Sequence, residues 1–152
     1  MTAVMQLTPA PLPPMFDAGA GTVINVASVA GLLSGRAGRG YPAYSASKAW
    51  VAFTEGLAGG LTGTGVGVHA VCPGLVRTEF HRRAGIDMSS VPSFWWLDVD
   101  DVIRKSLADI ARGKVISVPG VQNKALVTAE RMAPRNLMRG ASNLIGGGRG
   151  RT

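Results

Sequence analysis

The sequence predicts an α/β fold built on parallel strands, and three features carry that reading. A β-branched run, Thr22-Val23-Ile24-Asn25-Val26, stops in the small residues Ala27, Ser28, Ala30 and Gly31. A helical stretch follows over 43–60, and then a second apolar run, Val66 to Cys72, ends at Pro73-Gly74. Strand, small-residue loop, helix, strand and Pro-Gly turn is the order of a βαβ unit, with its polar groups gathered at the carboxyl ends of the strands.

Each element has its own local reason. Residues 2–8 read as a helix, which Pro9, Pro11, Pro13 and Pro14 are expected to end near Leu7, because a proline inside a helix costs roughly 3 kcal/mol. Strands are expected at 22–27 and 66–71. Asp98, Asp100 and Asp101 sit at the start of a helix over 99–112, where the helix dipole favours acids, and Gly113 closes it. A last strand over 115–118 runs into Pro119-Gly120, and a helix over 122–138 follows. No internal repeat is evident.

The chemistry concentrates in Ala43-Tyr44-Ser45-Ala46-Ser47-Lys48-Ala49. Tyr44 and Lys48 stand four residues apart, on one face of a helix. An ordinary tyrosine, with a pKa of about 10, is a poor proton donor or acceptor at neutral pH. An ammonium one turn away favours the phenolate and brings the phenol towards the working range. Ser28 and the Pro73-Gly74-Leu75-Val76-Arg77-Thr78 segment lie at the strand ends, where open parallel α/β sheets bind ligands.

Together these four elements closely resemble the short-chain dehydrogenase/reductase family, from residue 1 to about residue 120 and most densely over 22–80. The resemblance implies a partial three-layer, Rossmann-like fold that keeps the last three parallel strands. It gives Ser28 the hydrogen bond to the substrate oxygen and Tyr44 the proton exchange with that oxygen. Lys48 would lower the pKa of Tyr44 and hold the nicotinamide ribose. Pro73 and Gly74 would form the turn beneath the cofactor, with Val76 (through its backbone) and Thr78 on the carboxamide. The implied activity is NAD- or NADP-dependent interconversion of an alcohol and a carbonyl compound. The gap from serine to tyrosine is longer than the family's, and Ser34–Gly40 is the loop expected to absorb the difference.

The glycine-rich turn that opens such enzymes is missing from this sequence. Gly35, Gly38 and Gly40 lie between the serine and tyrosine motifs. Gly63, Gly65 and Gly67 lead into a strand, the wrong polarity for a phosphate turn. The chain is therefore expected to correspond to the carboxyl-terminal half of such an enzyme, without the residue that would select NAD or NADP. The alternative reading is a non-catalytic remnant or interaction module. In the family's sheet the absent strands would pair beside strand 22–27, so one apolar edge is expected to be bare.

Composition narrows the rest. At 152 residues, 46% hydrophobic and with a mean hydropathy of +0.20, the chain is expected to be one globular domain over 1–140 with a Gly/Arg-rich tail over 141–152. The lone Cys72 excludes an internal disulfide and reads as a buried strand residue, while His69 and His81 lack partners at metal-ligand spacing. No apolar run or leader suggests a membrane span or signal peptide, and the cytoplasm is the expected location. Net charge is +7, with Lys124, Arg131, Arg135 and Arg139 recurring over 122–139. Contact with an anionic membrane surface or nucleic acid is the less favoured reading of that run. The favoured one is a terminal helix that buries Ala125, Leu126, Ala129, Met132, Ala133 and Leu137 with its cations solvated.

Helix 43–60 is expected to carry Trp50 and Phe53 either against the sheet or, as in relatives, against a second subunit in a homo-oligomer. Phe94, Trp95 and Trp96 fall where the family's substrate lid lies. They read either as a wall for a bulky apolar substrate or as a plug for the lid.

Overall fold

The computed structural model describes residues 2–33 and 42–132. Helices α1 (Thr2–Leu7) and α2 (Leu12–Ala18) lead into strand β1 (Gly21–Val26) and a 3-10 turn (Val29–Gly31). Helices α3 (Pro42–Lys48) and α4 (Val51–Gly60) precede strands β2 (Val66–Val71) and β3 (Leu75–Val76). The short helix α5 (Phe80–Arg83), a 3-10 turn (Ser93–Trp95) and strand β4 (Trp96–Leu97) come next. Helix α6 (Val99–Ala111), strand β5 (Ile116–Ser117) and helix α7 (Val121–Met132) complete the described chain.

Three strands form a parallel sheet in the order β1-β2-β5. The β1–β2 ladder runs from Gly21 opposite Val66 to Val26 opposite Val71, and β5 pairs only through Ala70–Ile116 and Val71–Ser117. Period-two geometry then sorts the side chains. Leu12, Leu61, Val66 and Val68 pack with Met15, Val23 and Leu57, so α2 and α4 cover one face. Val71 packs with Val102, Leu97 and Ile110, so α6 covers the other. These three layers are the predicted architecture. Strands β3 and β4 pair with each other in a separate two-stranded parallel sheet. Among the described residues β1 pairs with β2 alone, and Ile24 and Val26 on its α6-side face are exposed.

Three departures from the expected pattern have local causes. The prolines do not abolish helix after Leu7, because α2 begins with Pro11 at its N-cap and Pro13 and Pro14 in its first turn. Amides there have no intrahelical acceptor, so proline removes nothing. The helix expected over 43–60 is two helices. Its break at Ala49–Trp50 is made by three-residue bonds, Ala49 N–H to the Ala46 carbonyl and Ala52 N–H to the Ala49 carbonyl, each 3.2 Å. The break sets Trp50 (3% exposed) into a core with Ala27, Val51, Ala70 and Cys72, so Trp50 faces the sheet and not a partner subunit, while Phe53 is half-buried.

Helix α7 turns a different face inward from the one its apolar residues suggest. Asn123, Val127 and Glu130 are buried, while Ala125, Ala129 and Met132 are exposed. Asn123 tolerates burial because its amide donates to the Pro119 carbonyl at 2.8 Å. Ala133, Arg135, Leu137, Arg139, the glycines at 35, 38 and 40, and the 141–152 tail lie outside the described residues.

Asp109 fastens the end of α6 to β5. Its buried carboxylate accepts from Arg112 Nη2 (3.0 Å), Lys114 Nζ (2.6 Å) and Ser117 Oγ (3.0 Å). Burial pushes its pKa up, but the hydrogen bonds from Lys114, Arg112 and Ser117 outweigh burial and hold it down to about 2. The folded value lies below the unfolded one of about 3.9, so the stabilisation is complete above that pH and disappears as pH falls through about 2. Asp109→Asn is expected to cost about 2 kcal/mol at pH 7. Denaturant titrations should show that difference shrinking between pH 4 and pH 2.

Candidate active site

The site forms where β1 and β2 end. Backbone bonds carry the pairing past the strands: Ala27 N–H donates to the Val71 carbonyl (2.7 Å) and Val29 N–H to the Pro73 carbonyl (3.0 Å). The same Pro73 carbonyl accepts from Ser28 Oγ at 3.4 Å, while that hydroxyl accepts from Ala30 N–H at 3.2 Å and caps the 3-10 turn. Ser28 and the Pro73-Gly74 turn are therefore one hydrogen-bonded unit. The partners of the Ser28 hydroxyl are these two backbone groups, not Tyr44.

Tyr44 and Lys48 stand one turn apart on α3, with Lys48 Nζ 5.8 Å from the centre of the Tyr44 ring. Lys48 Nζ also donates to the Val26 carbonyl at 3.4 Å, which ties α3 to the end of β1. Close backbone packing fixes that helix from the other side. A Cβ on Gly31 would overlap the Lys48 carbonyl, so only glycine allows the 3-10 turn to approach α3 this closely. Beneath Ser28, a polar chain fixes β1 from behind: Thr8 Oγ1 donates to Asn25 Oδ1 (3.2 Å) and Asn25 Nδ2 donates to Thr54 Oγ1 (3.5 Å). Thr8 and Thr54 are buried, so breaking this chain would strand polar atoms in the core.

The loop after β2 is held on two sides. Leu75 and Val76 pair with Trp96 and Leu97, and Arg77 N–H donates to the Leu97 carbonyl at 2.9 Å. Gly74 lies against the Asn123 side chain of α7, where any Cβ would overlap the amide. Thr78 Oγ1 accepts from Phe80 N–H at 3.2 Å and begins α5. From there an aromatic series runs Tyr44–Phe80 (6.2 Å between centroids), Phe80–His81 (5.2 Å) and His81–Trp96 (5.2 Å), the last two edge-on. Asn25, Phe80 and Asn123 escape a sequence reading because their contacts with Thr8 and Thr54, with Tyr44 and with Gly74 join residues distant in the chain. Only the position of Phe80, two residues after Thr78, offered a signal.

Hydroxyl, phenol, ammonium and the backbone groups of Pro73–Val76 form a donor and acceptor set suited to a sugar hydroxyl and an amide. A pyrophosphate needs more, a glycine turn leading from a strand into a helix. Among the described residues the positive-φ glycines Gly63 and Gly65 instead precede β2. Among the described residues the set therefore suits the nicotinamide side of a dinucleotide better than its pyrophosphate. His69 Nδ1 lies 2.9 Å from the Lys114 carbonyl, and no group of three or more metal-ligating side chains occurs among the described residues. No helix among them is long and apolar enough to cross a membrane.

Comparison with known proteins agrees with this geometry. The short chain dehydrogenase family profile matches residues 1–88. The ketoacyl reductase HetN of Nostoc sp. (strain PCC 7120) is 41% identical over 78 residues, covering 50% of this chain and 26% of that protein. The 2-(R)-hydroxypropyl-CoM dehydrogenase of Xanthobacter autotrophicus is 31% identical over 119 residues, covering 78% of this chain and 42% of that protein. A short-chain dehydrogenase from Sphingobium yanoikuyae, solved in complex with NADPH, superposes with a TM-score of 0.71 at 28% identity, over 98% of this chain and 54% of that one. The chain belongs to the short-chain dehydrogenase family. It spans about half the length of that solved relative and less than half of the two curated ones.

One substitution and one labelling experiment test this packing. Gly31→Ala should displace α3 and lower stability by about 1–3 kcal/mol, read as a fall in the urea midpoint. Cys72, fully buried beside the turn, has its thiol pushed up to about 12 by burial and the nearby Glu55 charge. It should react with Ellman's reagent in urea and stay unreactive in the native protein at pH 8.

Proposed function

We propose that this chain forms the substrate and nicotinamide half of an NAD- or NADP-dependent oxidoreductase that interconverts an alcohol and a carbonyl compound. The observation that carries the reading is convergence. Lys48 of α3 donates to the Val26 carbonyl, two residues before Ser28, and its ammonium lies 5.8 Å from the Tyr44 ring centre. In this reading Ser28 gives up its long bond to Pro73 and donates to the substrate oxygen. Tyr44 passes a proton to or from that oxygen, with the Lys48 ammonium one turn away on the same helix. Lys48 would also hold the ribose, and the Val76 backbone and Thr78 would hold the carboxamide, with Pro73 and Gly74 forming the turn there. A bound nicotinamide supplies or accepts the hydride. Alignment of the two reactants is worth several kcal/mol of barrier, so positions held by backbone bonds matter as much as the reacting groups.

A second reading, a non-catalytic module of the same fold, draws on one fact: the chain spans about half the length of the solved relative. Titration of the purified chain with NADH and NADPH separates the two. Saturable binding at micromolar concentration supports the oxidoreductase, and none supports the module. Where turnover is measured, Tyr44→Phe should reduce kcat at least a hundredfold with an unchanged circular dichroism spectrum. Full turnover in that variant would remove the proposed proton transfer from Tyr44.

A further inference from the structure

The aromatic side chains near the site fall into two groups with different surroundings. Phe94 and Trp95 pair with each other at 5.3 Å, and the Phe94 carbonyl accepts from Gln122 Nε2 at 3.2 Å, which ties this pair to α7. Phe80 is exposed over half of its surface, less than Phe94 (65%), but it alone lies beside Tyr44 among the described aromatic contacts. Its backbone is fixed by Thr78, and its ring is backed edge-on by His81, which is backed in turn by Trp96. A large apolar ring held rigidly in water beside a phenol has an unused face.

We propose that Phe80 determines substrate choice, forming with Tyr44 an aromatic wall that receives the aryl or other flat, bulky substituent of the carbonyl compound. The inference rests on the proposed proton transfer at Tyr44, since that residue fixes where the substrate oxygen must lie. A substituent on the oxygen-bearing carbon then falls within a ring's width of Tyr44, where Phe80 stands. An aryl group gains a ring–ring contact and covers the exposed face of Phe80, whereas a methyl or ethyl group covers little of it. The His81–Trp96 stack behind Phe80 keeps the wall from rotating away.

The test compares acetophenone with 2-butanone. Binding to the 152-residue chain is followed by saturation-transfer NMR, which needs neither cofactor nor turnover. Acetophenone should bind about tenfold more tightly, roughly the worth of one aromatic pair. Phe80→Ala should abolish that preference, and Phe80→Tyr should retain it. Tyr44→Leu should weaken acetophenone binding as well. No acetophenone binding, equal binding of the two ketones, or a preference that survives in Phe80→Ala would each overturn the assignment. Phe80 is half-exposed, so the alanine variant should keep its fold, as checked by its thermal midpoint. Failure of Tyr44→Phe to affect turnover, with the aryl preference intact, would count against the proton transfer and leave the wall standing.

Discussion

The parallel ladder between Gly21–Val26 and Val66–Val71 governs where everything else in the site can be. Its pairing does not stop with the strands, because Ala27 and Val29 continue the same backbone bonds to Val71 and Pro73. Ser28 sits between those two donors, so the register of the ladder decides what its hydroxyl meets. Sliding one strand by a single residue would turn Ser28 to the opposite face and bring a different carbonyl to the turn. Asn25 holds the register from the helical side, since its bonds to Thr8 and Thr54 form only when that side chain points towards α1 and α4. A small polar triad inside the core thus acts on chemistry at the surface.

Much of this was legible in the sequence, for identifiable reasons. The strands at 21–26 and 66–71 announce themselves through β-branched residues bounded by glycine, and the Tyr44–Lys48 spacing alone puts both on one helical face. Helix α2 was hidden because prolines at a helix start look like prolines that forbid one. The inward face of α7 was misread because Asn123 and Glu130 are polar, and nothing local reveals that Asn123 answers the Pro119 carbonyl and lies against Gly74. Phe80 against Tyr44 is a contact between residues thirty-six apart, set by the loop path and invisible to periodicity.

Charge tells a related story. Among the described residues several cations pair locally: Arg82 and Arg83 on Glu79, Arg104 and Lys105 on Asp101, Arg112 and Lys114 on Asp109. The first four pairs are exposed and contribute little each, whereas Asp109 is buried and holds three donors at a helix end. Lys48 is held differently, by the Val26 carbonyl and beside the Tyr44 ring.

The interruption at Ala49–Trp50 divides one long helical segment between two employments. Upstream, α3 carries Tyr44 and Lys48 one turn apart; downstream, α4 presents Val51, Thr54 and Leu57 to the sheet. Because Trp50 anchors the joint, a change on the outer surface of α4 need not rotate Tyr44. That insulation lets the exposed side of α4 accept a substitution while Tyr44 keeps its place.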